Sequence, residues 1–111
     1  EQVRRKAEAF GIVILHKGVV PVVSDGKRVV VLPVLGVNVG KGAVGDIIAG
    51  LVTGFYAKNE PVLATATAAF LVGSATERLY KRQGEMFNSD DLADEVARVY
   101  GGSCDLPQIM R

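Results

Sequence analysis

The sequence predicts an α/β fold in which helices pack against a small sheet. The chain has 111 residues and is 49% hydrophobic, which is enough apolar material for one core. Runs of β-branched residues occupy its first third, and three helical patterns follow. The order helix, strand, hairpin and three helices is typical of an α/β layer with four or so strands. Three consecutive helices exceed what so small a sheet can cover, so we expect residues 1–111 to be the C-terminal portion of one larger domain.

The N-terminal third contains the elements of the predicted sheet. Residues 1–10 have helical spacing of apolar side chains, and Gly11 follows as a stop signal. The continuous apolar run at residues 12–15 predicts a buried strand. An Asp-Gly pair between two valine-rich runs predicts a hairpin, and Pro21 in its first run indicates an edge strand or a bulge.

The remainder of the chain predicts three helices. The first is expected over residues 46–58, after a connector and a glycine-rich turn. The second begins at a proline, which suits the first helical position, and runs over about residues 61–82. Asn88 or Ser89 caps the third, which ends near Gly101.

Composition excludes several classes of protein. A net charge of +1 argues against a dedicated nucleic-acid binder. The single cysteine, Cys104, allows no disulfide within the chain, and with His16 as the only histidine no group has metal-ligand spacing. A reducing cytoplasm is therefore the expected location. The longest apolar run, residues 61–75, is too short to span a bilayer, so we expect no membrane contact.

The most informative segment is the glycine-rich turn GKGAVGD at residues 40–46, which opens an apolar helical run. Free N–H groups and the helix dipole make such a turn an anion site. The carboxylate of Asp46 would repel a phosphate that was only being held. It is suited to a transient phosphoryl group, because it can remove a proton while that group moves. The turn therefore predicts a kinase-like phosphoryl-transfer site.

Two other nucleotide motifs fit the turn less well. A Walker P-loop requires Ser or Thr where Gly42 follows Lys41, and it requires glycine at Leu35. A dinucleotide fingerprint matches residues 40–45 literally. Its ribose-binding acid would have to be Glu60, which lies at the start of the next predicted helix.

Two of the candidate features, Asp46 and the Lys17-Gly18 pair, also have a purely structural interpretation. An acid at Asp46 stabilises any helix by about 0.3–1 kcal/mol, although the glycines beside it favour a functional role. Lys17 and Gly18 end a predicted strand and could meet a nucleotide there. Their spacing alone favours a strand end that simply turns to solvent.

Two segments, VILHKGVVPVVSDG at residues 13–26 and GAVGDIIAG at residues 42–50, resemble the ribokinase-like superfamily. The resemblance is strongest to its ADP-dependent NAD(P)H-hydrate dehydratase branch. In that branch a Lys-Gly strand end leads into a Ser-Asp-Gly hairpin, and a GGTGDVLAG anion hole follows at about this distance. Residues 86–92 also resemble the final helix of the branch. The resemblance covers about residues 12–101 and implies a ribokinase-like α/β sandwich, with this chain as its C-terminal portion.

The resemblance implies an enzyme that repairs hydrated NADH and NADPH, with ADP or ATP as phosphate donor and magnesium bridging the phosphates. Asp46 would contact the substrate and serve as the base that activates its hydroxyl. Loss of the added phosphate would then restore the reduced cofactor. The implied nucleotide-binding positions are Lys17, Gly18, Val19, Val20, Pro21, Gly42, Ala43, Val44 and Gly45. Association as a homo-oligomer, or with the missing half of the domain, is expected as well.

Four positions depart from the family pattern. Ala43 replaces a glycine, Val44 a threonine, Pro21 a polar residue and His16 an apolar one.

Two other functions share the same motif. One is a small-molecule kinase of the superfamily that acts on a vitamin precursor, and the other is a nucleotide-binding module without catalysis.

Overall fold

A computed structural model describes residues 1–33 and 44–102 of the chain. Their order confirms the predicted succession of one helix, a strand, a hairpin and three helices. The elements are α1 (Gln2–Phe10), β1 (Ile14–His16), β2 (Val22–Ser24), β3 (Val29–Val31), α2 (Val44–Tyr56), α3 (Pro61–Gln83) and α4 (Ser89–Gly102). The predicted connector and most of the glycine-rich turn, including Gly42 and Ala43, lie outside the described residues.

The described strands form one antiparallel sheet in the order β1-β2-β3. Val23 of β2 lies opposite Leu15 of β1 and Val30 of β3, which confirms the predicted hairpin and places β1 beside it. Of the two alternatives that Pro21 indicated, the edge strand is wrong, because β2 is central among the described strands, and a bulge at its start stays a prediction. β2 begins at Val22, directly after the proline, whose carbonyl accepts a hydrogen bond of 2.9 Å from the N–H of Leu32 although its nitrogen can donate none.

The sheet is only partly covered. Val23 and Leu32 pack with Val62 of α3 in a buried cluster. α1 packs against β1 and β2. Outside this contact β3 stays open, and Val31 is 61% exposed. The prediction of a fully buried first strand is therefore wrong, since β1 is half-buried and then exposed along its length.

α3 is the central element of the helical part. It packs against β2, while α2 and α4 pack against α3, which agrees with the expectation that three helices exceed what the sheet can cover. The core that these three helices share comprises Leu71, Val72, Ala75, Leu79, Phe87, Leu92, Val96 and Val99. Within the described part of the chain, no helix is both long and apolar enough to cross a membrane.

Arg28 joins the hairpin to the start of α3. Its Nη2 lies 2.9 Å from Oδ2 of Asp25 and 2.8 Å from Oε2 of Glu60. Glu60 caps α3 by accepting hydrogen bonds from the N–H groups of Val62 and Leu63. The Arg28 hydrogen bond is the main reason that the pKa of Glu60 lies below its ordinary range. These contacts fix the sheet relative to the helix that supports the other elements.

Candidate active site

The residue that follows β1 reaches the first turn of α2. Lys17 comes directly after the strand, and Gly45 is the second residue of the helix. A Cβ atom built on Gly45 would lie 2.7 Å from Nζ of Lys17, closer than real Cβ atoms approach. The ammonium therefore rests against the helix backbone at Gly45. Lys17 is exposed, as its position at a strand end predicts, yet its side chain joins the two segments that the resemblance singled out.

The charges at this point favour an anion. The start of a helix carries unpaired N–H groups and a partial positive charge, so cations prefer the opposite end. The ammonium of Lys17 adds positive charge at the disfavoured end. Within the described residues Lys17 forms no ion pair, not even with Asp46, the residue after Gly45. The carboxylate of Asp46 in the same turn offsets part of this positive charge, and an anion bound between Lys17 and α2 would offset more of it.

Asp46 lies next to this anion position. It is the acidic residue in the first turn of α2, and its side chain is exposed. The carboxylate can therefore stabilise the helix and still receive a proton from a substrate. Asp46 directly follows Gly45 in the helix, and its role as a base in phosphoryl transfer stays a prediction.

The start of α2 is held by its contacts with the helical core. Val44, Ile47, Ile48, Leu51 and Phe55 are half-buried and pack against that core. Val44 thus directs its side chain toward α3 and α4, so a ligand at the start of α2 would meet the backbone of Val44. The helix also begins at Val44, two residues earlier than predicted, and this contact accounts for the difference.

The other implied nucleotide positions lie in the segment after Lys17. The His16 ring folds back toward Gly18, with Cε1 3.7 Å from where a Cβ would stand on that glycine. Val19 and Val20 are exposed, and Pro21 is half-buried. These side chains are open to a ligand, and their role in binding a nucleotide stays a prediction.

The side chains that could act as ligands determine how magnesium could bind. Among residues 1–33 and 44–102, no three His, Cys, Asp or Glu side chains converge as a metal site. Magnesium in nucleotide enzymes needs only one or two carboxylates, because phosphate oxygens and water supply the other ligands. Asp46 fits that requirement, since its carboxylate is exposed beside the anion position.

The family model described as NAD(P)H-hydrate dehydratase matches residues 1–98 of the chain. The chain belongs to this family. The resemblance drawn from residues 13–26 and 42–50 is thereby confirmed at the level of the family. The matched range includes every residue of the candidate site, from Lys17 to Asp46.

Two curated relatives carry names of the same family. An ADP-dependent (S)-NAD(P)H-hydrate dehydratase of Nitrosopumilus maritimus is 35% identical over 102 residues, which cover 87% of this chain and 34% of the relative. A bifunctional NAD(P)H-hydrate repair enzyme Nnr of Pyrobaculum aerophilum is 40% identical over 98 residues, covering 87% of this chain and 20% of the relative. The chain thus spans about a third of the first relative's length and about a fifth of the second's.

Sequence reasoning missed one feature of this dehydratase-family site. Spacing alone assigned Lys17 to solvent, because the contact with Gly45 joins residues far apart in the chain. The glycine at position 45 was the only local sign of that contact. A side chain there would occupy the place of the ammonium.

Proposed function

We propose that the protein carrying this chain dehydrates hydrated NADH and NADPH, with a phosphoryl group from ADP or ATP. The N. maritimus relative is named an ADP-dependent dehydratase of this substrate class, which supports the proposal. The structural observation that carries it is the ammonium of Lys17 against Gly45, beside the exposed Asp46. This arrangement combines positive charge for a phosphoryl group with a carboxylate that can take a proton.

The proposed reaction has two steps. The substrate hydroxyl gives its proton to Asp46, and its oxygen bonds to the terminal phosphorus while the bond to the nucleotide leaving group breaks. Lys17 and the free N–H groups of α2 stabilise the charge on the phosphoryl oxygens. The phosphate then leaves with the electron pair of the C–O bond. Loss of a proton from the adjacent ring carbon restores the double bond of the reduced nicotinamide.

Magnesium, location and assembly belong to the same proposal. Magnesium bound with the nucleotide would neutralise phosphate charge, and the exposed carboxylate of Asp46 would be available to hold it. A cytoplasmic location would supply both the nucleotide and the substrate. Exposed apolar side chains such as Val31 and Phe10 support association with a second copy of the chain, or with the remainder of a domain as long as that of the relatives.

The activity can be tested by mixing the protein that carries this chain with hydrated NADH, magnesium and either ADP or ATP. We expect reduced-nicotinamide absorbance to return only when a nucleotide is present, and the more effective nucleotide identifies the donor. Phosphorylation of a vitamin-precursor alcohol without any return of absorbance would replace the dehydratase by a kinase. Nucleotide binding without either reaction would replace it by a binding module.

Gly45→Ala tests the contact between Lys17 and α2. The new methyl group would displace the ammonium, so we expect nucleotide affinity to fall by about tenfold, equivalent to about 1.4 kcal/mol. Stability should hold, because the end of a lysine side chain moves easily and alanine favours a helix over glycine by about 1 kcal/mol. Titration calorimetry measures the affinity, and thermal unfolding measures the stability.

Gly50→Ala is the matched control in the same helix. A Cβ at Gly50 meets no atom within 4 Å, so this substitution tests helix propensity without the Lys17 contact. We expect wild-type nucleotide affinity and equal or higher stability in this variant. Equal affinity in the two variants would show that Lys17 has no role at the anion position.

A further inference from the structure

A second group of charged residues lies between α3 and α4. Glu95 of α4 is fully buried, and its Oε1 accepts hydrogen bonds of 3.0 Å from both Arg82 Nη2 and Arg98 Nη1. Nε of Arg78 lies 3.2 Å from the other carboxylate oxygen. We name Arg78, Arg82 and Arg98 the arginine cluster. They come from two helices and converge on one carboxylate.

The arginine cluster carries more charge than Glu95 needs. Burial is the largest single influence on the pKa of Glu95 and raises it, but hydrogen bonds from Arg82 and Arg98 with the surrounding positive charge lower it overall. The carboxylate is therefore ionised at neutral pH, and three guanidinium groups around it leave an excess of two positive charges. The nearby Lys81 does not add to this excess, because it pairs with Glu77 at 3.0 Å.

The three guanidinium groups are open to solvent, although Glu95, the carboxylate that they contact, is buried. The side chains of Arg78, Arg82 and Arg98 are 55%, 51% and 60% exposed. A guanidinium has five N–H donors, and Arg82 and Arg98 each use one nitrogen in a hydrogen bond to Glu95, whereas the contact of Arg78 is an ion pair without a hydrogen bond. Two of those nitrogens bind the same oxygen, so they lie within two hydrogen-bond lengths of each other. Glu95 thus holds several free donors close together.

We propose that the arginine cluster binds a phosphate group at a site separate from the candidate active site. Guanidinium donors recognise the oxygens of phosphate in pairs, and donors fixed in advance lose less entropy on binding. Their closeness suits a single compact oxyanion better than an extended acidic peptide, whose charges would be spread out. The site is built from α3 and α4, whereas the active site uses the residue after β1 and the start of α2.

Pyrophosphate titrated into the protein that carries this chain tests the proposal by calorimetry at low salt. We expect a binding event that weakens at least tenfold in Arg98→Gln and in Arg78→Gln but persists in Lys17→Gln. Lys81→Gln is the control, since it removes the same charge from the same helix outside the cluster. Arg98→Lys should weaken binding as well, because it keeps the charge but loses the paired donors.

Several results would overturn the proposal. One is that the Lys17→Gln variant no longer binds pyrophosphate. Another is an equal loss of pyrophosphate affinity in Lys81→Gln and Arg98→Gln, which would indicate attraction by the overall positive charge of the surface instead of binding at a site. Parallel titrations with inorganic phosphate and with AMP identify the source of the phosphate group. Thermal unfolding of each variant confirms that it is folded, and two arginine variants keep the test valid if one of them is not.

Discussion

Asp46→Asn is expected to lower turnover of hydrated NADH by about 10²–10⁴-fold, the usual contribution of a general base. Asparagine has nearly the shape of aspartate but cannot accept the proton of the substrate hydroxyl. Nucleotide affinity should be retained, because the substitution leaves the ammonium of Lys17 and the backbone N–H groups at the start of α2 in place. Return of nicotinamide absorbance measures turnover, and calorimetry measures nucleotide binding. Undiminished turnover would remove Asp46 from the reaction.

Asp90→Asn is the control for this prediction. Asp90 is an exposed acid in the first turn of α4, as Asp46 is in α2. Each substitution removes a favourable interaction with a helix dipole, of about 0.3–1 kcal/mol. The two variants should therefore lose similar stability, and only Asp46→Asn should lose activity. A matching loss of activity in Asp90→Asn would point to destabilisation instead of chemistry.

Local signals in the sequence predicted most of the fold. Gly11 ends α1 in a left-handed conformation with φ of 65°, as a glycine stop signal implies. The proline predicted to begin the second long helix is the first residue of α3. Asn88 accepts a hydrogen bond from the N–H of Asp91, which confirms the predicted cap of the last helix. Each of these features depends on residues within one turn of each other.

Contacts between distant segments could not be predicted in the same way. The Val44 side chain packs into the helical core, so α2 begins before the predicted start, although glycine and valine are poor helix formers. Burial of the first strand depends on which face α1 covers, and no local pattern encodes that. The Lys17 contact at Gly45 likewise requires two parts of the fold to meet. Tertiary packing decided all three.

The arginine cluster illustrates the same limit for binding sites. Arginines at helical spacing are typical of a solvated helix face, so no local pattern singles these three out. Glu95 is equally ordinary as a charged residue in a helix. Its burial results from the packing of α4 on α3, and only that packing turns three surface charges into one group.

Gly26→Ala is expected to lower the free energy of unfolding by about 2–4 kcal/mol, because backbone strain and a steric clash act together. Gly26 has φ of 96°, which L side chains rarely adopt. A Cβ there would lie 2.7 Å from Cα of Glu8, and a backbone atom of α1 cannot move aside as a flexible side chain can. Chemical denaturation of the protein that carries this chain measures the loss.

Gly11→Ala separates the two causes. Gly11 also has a positive φ, but a Cβ there meets no atom within 4 Å, so its substitution should cost only the strain of about 1–2 kcal/mol. The additional loss in Gly26→Ala would measure the contact between α1 and the hairpin. Because α1 packs against both β1 and β2, a displaced α1 would also shift the strand that precedes Lys17. Gly26→Ala should therefore weaken nucleotide binding as well, and equal losses of stability in the two variants would show that this contact is not tight.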